Sequence, residues 1–150
     1  MAKLEEIGSL SSEASAVVLL GDVFHQPRAN LVSHSLVKDL IRIFSSYECP
    51  VYAVVGNHDM GEEGFESLHR QPLGVLVEAS AVQVAAGIPL SAGFWLHFRH
   101  YSARRDTDPE YYVSKSDGRL ILAAHGSLLP PGESRPYPTV SAGEVTALMR

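Results

Sequence analysis

Three apolar runs in this chain each end abruptly in residues able to do chemistry. Ala16-Val-Val-Leu-Leu20 closes on Gly21-Asp22, with His25 shortly after. Val51-Tyr-Ala-Val-Val55 closes on Gly56-Asn57-His58-Asp59, and Leu120-Ile-Leu-Ala-Ala124 closes on His125-Gly126. Asp22, Asn57 and His125 offer a carboxylate, an amide oxygen and an imidazole. Such a mixed oxygen and nitrogen set suits Mn2+, Zn2+ or Fe2+ better than the all-oxygen sites of Mg2+ or Ca2+. Asp22 has two oxygens and can bridge two ions held ~4 Å apart, the arrangement used to hydrolyse phosphoesters. His58, next to the Asn57 ligand, is then available for acid–base work or for holding a phosphate oxygen. Asp59 is placed to fix the His58 tautomer and raise its basicity, as carboxylate–histidine pairs do.

Elements of the right kind exist to carry these residues. The run at Val51 is uncharged, β-branched and of strand length, which reads as a buried strand of a parallel sheet. Open α/β sheets collect ligands at the carboxyl ends of their strands, and the polar clusters fall at such ends. Gly56 allows the sharp turn that delivers Asn57, His58 and Asp59 to one rim. Between the first two runs, Leu36, Val37, Leu40, Ile41 and Phe44 recur at helical spacing, with Lys38, Asp39 and Arg42 opposite. Asn30 is placed to cap this helix, predicted over 31–44. Residues 16–56 thus form a strand–helix–strand crossover. Neighbouring parallel strands lie close enough for their ends to share a site.

The flanking regions are plainer. Residues 1–12 resemble the tail of a helix, with Leu4, Ile7 and Leu10 on one face. A short helix is expected around Phe65–Arg70, and strands at Val75–Val77, Ala81–Ala85 and Phe94–Tyr101. Tyr111–Val113 is expected to pair with Leu120–Ala124 across Ser116-Asp117-Gly118. The stretch 129–138 is proline-rich loop, and a last helix is expected over 140–150. The pattern as a whole is α/β.

Composition narrows the function. The chain has 150 residues, enough for one domain, and 45% are hydrophobic, enough for a sizeable core. Its net charge of -5 lacks the footprint of a nucleic-acid binder, although bound metals can offset acidic ligands. One cysteine, Cys49, permits no intramolecular disulfide and points to a reducing, cytoplasmic setting. No stretch reaches membrane-spanning length, so no membrane association is expected.

Gly21-Asp22 with His25, Gly56-Asn57-His58-Asp59 and His125-Gly126, in this order and spacing, resemble the calcineurin-like metallophosphoesterase family. The resemblance implies a sandwich of two mixed sheets flanked by helices, and two divalent metal ions. Mn2+ is the expected pair, with Zn2+ or Fe2+ as alternatives. It implies Asp22 as the bridging ligand, Asn57 and His125 on one metal, and His58 as the catalytic histidine with Asp59 as its orienting partner. Attack on phosphorus would come from a water activated between the metals. Gly21-Asp-Val-Phe-His25 is similar to the nuclease subunit of SbcCD-type DNA-repair complexes. That similarity implies a DNA exonuclease with an SMC-like ATPase partner, in which His25 helps to position the phosphate.

Two motifs of the family are not found: an opening Asp-x-His and a closing Gly-His-x-His. The expectation is therefore a partial metallophosphoesterase domain over 1–150, incomplete at both ends, with little activity of its own. A small-nucleotide or protein phosphoesterase is the first alternative, and a non-catalytic interaction module retaining the fold is the second. Other candidates read as structural. His97 and His100 do not share a strand face, and His34 and His69 fall on helix surfaces. Arg99, Arg104 and Arg105 read as a solvated loop, and Trp95 and Tyr101 as packing of the second sheet.

Overall fold

A computed structural model describes residues 1–25, 31–61, 64–101, 119–129 and 139–141. The described elements are α1 (Ala2–Ser9), β1 (Val17–Leu20), α2 (His34–Phe44), β2 (Val51–Val54), α3 (Pro72–Glu78), β3 (Gly87–Pro89), β4 (Phe94–Arg99), β5 (Arg119–Ala124), β6 (Ser127–Leu129) and β7 (Thr139–Ser141). Short 3-10 turns cover Ser11–Glu13, Asn57–Asp59, Phe65–Arg70 and Ser91–Gly93. Among the described residues no helix is long and apolar enough to cross a membrane.

β2 is the centre of the fold because both of its faces are covered. Its alternating side chains divide between two cores, as strand geometry requires. Val51, Ala53 and Val55 face a cluster built from Leu40, Ile43 and Phe44 of α2 and from Leu73 and Leu76 of α3. Val54 faces the other way, against Leu96, Phe98 and Ala123, and Tyr52 stacks on Phe98 at 5.5 Å. The layers are therefore helices, a parallel β1–β2 sheet, and a second sheet in the order β3-β4-β5. In that second sheet β3–β4 is antiparallel and β4–β5 parallel. This is the expected α/β sandwich, with β1, α2 and β2 as its crossover unit.

Several expectations change. β1 and β5, unlike the buried run at Val51, are half-buried, with Leu20 and Ile121 exposed. Among the described residues each pairs on one side, so of the three motif strands only β2 has the environment of a central strand. The third motif strand is not a neighbour of the other two in one sheet; β5 belongs to the second sheet. Helix α2 starts at His34 after Ser33; in its first turn Val37 packs against the core while Leu36 is exposed, and Ile43 is buried further along. Only Leu4 of α1 reaches the core, where Tyr47 Oη donates to its carbonyl at 2.6 Å; Ile7 and Leu10 are exposed.

Val75–Val77 is helical, because Pro72 at the first turn presets the helical φ and Leu73 and Leu76 share the buried face. The 81–85 stretch contributes one parallel bridge, Gln83 to Tyr52, on the edge of β2 away from β1. Tyr101 packs with the helix-side core rather than with the second sheet. Arg99 is buried in β4, not solvated. The last helix is replaced at its start by β7. The 27–30 loop with the Asn30 cap, Arg104 and Arg105, the hairpin partner at 111–118 and residues 142–150 lie outside the described residues.

The two-core arrangement makes a stability prediction. Leu76 has 0% exposure in the helix-side core. Leu76→Ala should cost about 2–5 kcal/mol in urea denaturation, with the transition still cooperative.

Candidate metal and phosphoester site

Asp22, Asn57, His58 and His125 converge where β1, β2 and β5 end. The backbone has to take an unusual path to achieve this. Gly21 has φ +86 and Asp22 has φ +50, two consecutive left-handed residues. A side chain is rarely tolerated there, and such strain persists where surrounding contacts over-determine it. At Gly21 a Cβ would overlap the His125 ring, and at Gly56 a Cβ would overlap Asp22. Both glycines are thus fixed by close approach of the site residues.

The donor atoms meet around the His125 ring. Its Nδ1 lies 2.9 Å from the Leu20 carbonyl oxygen, which can only accept, so Nδ1 carries the proton. In the neutral ring Nε2 then presents a lone pair. That nitrogen lies 3.3 Å from Asp22 Oδ2 and 3.3 Å from Asn57 Oδ1. In that neutral form two oxygen lone pairs and a nitrogen lone pair face one another, whereas a second proton on Nε2 would make the contact an ion pair with Asp22. A divalent cation satisfies all three donors at once, and the set fits one. Asn57 is essential to it: among the described residues no group of three or more His, Cys, Asp or Glu is placed to hold a metal.

The other oxygen of Asp22 has a different role. Oδ1 accepts the His58 backbone N–H at 2.9 Å, which locks the turn after β2 to the turn after β1. The His58 ring is oriented by His25 rather than by Asp59. Its Nδ1 donates to the His25 carbonyl at 2.9 Å, and the two rings stack at 5.4 Å and 14°. His58 Nε2 is left without a hydrogen-bond partner among the described residues.

Asp59 therefore does not hold the His58 tautomer. Its side chain is 1% exposed and points inward. Oδ2 accepts the Gly56 N–H at 2.9 Å and Oδ1 the Phe24 N–H at 3.2 Å. The Gly56 contact is the reach-back of a capping box, since Asp59 is the third residue of the 57–59 turn. Burial pushes the Asp59 carboxyl above its ordinary range; the Gly56 and Phe24 N–H groups pull it back, and the Asp22 charge adds to the rise. The carboxylate is a cross-link between the two strand-end turns.

This motif set and its geometry agree with the comparison to known families. The family model for calcineurin-like phosphoesterases matches residues 1–142. The chain belongs to the calcineurin-like phosphoesterase family. Proteins of this family typically hold two divalent metals. A comparison with curated proteins found no match.

Of the remaining histidines, His97 is buried in β4, and His34 and His69 are exposed. His100 is the residue that sequence reasoning passed over. It sits against the backbone of Val55 and Ala85. No spacing rule singles it out, because its partners are main-chain groups of other elements.

The Asp59 assignment can be tested apart from His58. Asp59→Ala leaves two buried N–H groups without their acceptor and should cost about 2–4 kcal/mol. The loss, measured by urea denaturation, should be unchanged in a His58→Ala background. A loss that disappears in that background would restore the His58–Asp59 pairing.

Proposed function

We propose that this domain is a metal-dependent phosphodiesterase, with Asp22, Asn57 and His125 as metal ligands, His58 as the catalytic acid, and DNA as the substrate class. The observation that carries the reading is the facing of three lone pairs, Asp22 Oδ2, Asn57 Oδ1 and His125 Nε2, beside a histidine whose outer nitrogen is uncommitted. A divalent cation held there, Mn2+ in the first instance, supplies Lewis acidity toward a phosphoryl oxygen and generates a nucleophile from water at neutral pH.

The chain's own residues then have defined tasks. His58 Nδ1–H stays on the His25 carbonyl throughout. In the imidazolium form the second proton sits on Nε2 and passes to the leaving oxygen as the P–O bond breaks. The ring that remains is neutral and protonated on Nδ1, the tautomer that the His25 carbonyl already selects. Proton donation of this kind contributes about 10²–10⁴-fold. Asp22 Oδ1, through the His58 N–H, keeps the acid at a fixed distance from the metal ligands. His25 is exposed beside His58 and is placed to meet a substrate phosphate. The Gly-Asp-x-x-His spacing is what favours DNA over smaller esters.

The test separates binding from proton transfer. Asp22→Ala, Asn57→Ala and His125→Ala should each abolish Mn2+ binding by calorimetry. His58→Ala should bind Mn2+ normally. It should lose about 10²–10⁴-fold in kcat on linear DNA, whose leaving oxygen needs a proton. On bis-p-nitrophenyl phosphate, whose leaving group does not, it should lose far less. Equal losses on both substrates would remove His58 as the acid. Turnover of p-nitrophenyl phosphate in preference to both diesters would move the domain to the monoesterases.

A further inference from the structure

The strand that carries the key turn ends one residue early. β2 stops at Val54, yet Asn57 and His58 must be aimed with their backbone fixed, so Val55 has to be held by something other than the sheet ladder. Val55 has 0% exposure, so both its main-chain groups require partners. Its carbonyl accepts the Tyr101 N–H at 2.8 Å. Its N–H donates to the ring of His100, 3.0 Å from Nδ1.

This contact dictates the state of His100. A ring nitrogen that accepts a backbone N–H carries no proton, so the proton is on Nε2. Nε2 lies 3.0 Å from the Ala85 carbonyl, which accepts it. His100 therefore stands as a bridge in one tautomer, opposite to that of His125. The ring also lies against Phe65 at 5.3 Å, which fixes its plane. From the same stretch, the Arg99 carbonyl accepts the His125 N–H at 3.3 Å. The end of β4 and the residues after it thus touch the backbone at two of the three strand ends that supply a proposed metal ligand, β5 in its own sheet and β2 in the other.

We propose that His100 is a positioning residue for the metal and phosphoester site, acting through the Val55 amide to aim Asn57 and His58. It contacts the backbone of Val55 and Ala85 and the ring of Phe65, not Asp22, Asn57 or His125. The tautomer and the Val55 bond stand on their own; the affinity readout below rests on the metal-binding reading of Asp22, Asn57 and His125.

The two ring nitrogens can be replaced separately. In His100→Asn the amide oxygen takes the place of Nδ1 and can accept the Val55 N–H, but nothing reaches Ala85. In His100→Gln the amide nitrogen takes the place of Nε2 and can donate to Ala85, with its oxygen directed away from Val55. If positioning runs through Val55, His100→Asn should hold Mn2+ within about threefold of wild type, whereas His100→Gln should weaken it about tenfold, the lower end of the range for orienting groups behind metal ligands. A merely structural bridge would not rank the two this way. Equal affinities in the two variants, or the reverse ranking, overturn the proposal.

A measurement on the wild-type chain keeps it testable if both variants unfold. Histidine-selective 15N NMR of the metal-free protein should show His100 with a bare Nδ1 and a protonated Nε2, and its Nδ1 should correlate with the Val55 amide proton. A protonated Nδ1, or no such correlation, overturns the proposal whether or not Mn2+ binds. Failure of wild type to bind Mn2+, with the His100 signature intact, would instead count against the metal-binding reading.

Discussion

A hydrogen bond between His125 Nδ1 and the Leu20 carbonyl holds the candidate site together. It joins the end of β5 to the end of β1 across the two sheets, and in the neutral ring it decides which nitrogen is bare. Were the proton on the other nitrogen, His125 would donate to Asp22 and Asn57 and the cluster would be a satisfied polar network. With the proton on Nδ1 alone three acceptors face each other, an arrangement that is costly until a cation or a second proton on Nε2 joins it. The same contact explains why residue 21 has no side chain, since the ring occupies the space that a Cβ would need.

The turns that hold the site are strained and are stabilised by buried polar contacts. Asp22 is left-handed at φ +50, a conformation that non-glycine residues seldom adopt. Its N–H and carboxylate lie against Gly56, and Asp59 binds the N–H groups of Gly56 and Phe24 on either side of that contact. Desolvating the Asp59 carboxylate carries a cost, visible in the upward push on its protonation. Its hydrogen bonds to charged oxygen offset that cost, being stronger than neutral ones. The His25–His58 stack extends the same framework outward. A local cost is accepted where the geometry must be narrow, and the two apolar cores on either side of β2 carry the general stability.

The sequence displays some of this and conceals the rest for physical reasons. Apolar runs ending in polar clusters were enough to place β1, β2 and β5 and to bring Asp22, Asn57 and His125 to one rim, because strand periodicity and strand-end placement are local properties. The sheet membership of β5 was not local. Val75–Val77 reads as strand by its valines, but Pro72 and the Leu73–Leu76 spacing set a helix that packs beside α2. Asp59 follows His58 directly, which invites a dyad, yet the 3-10 turn at 57–59 sends the carboxylate back toward Gly56. His100 was hidden most deeply, because a side chain that bonds the main chain of distant elements leaves no pattern in residue types.

The central claim is that one imidazole, that of His125, presents Nε2 to a divalent cation shared with Asp22 and Asn57. Electron spin echo envelope modulation of the Mn2+-loaded protein reads this directly, through the nitrogen coupled to the metal. The account predicts modulation from one histidine nitrogen that persists in His58→Ala and His25→Ala and vanishes in His125→Asn. Modulation that survives His125→Asn, or none in wild type, would contradict it.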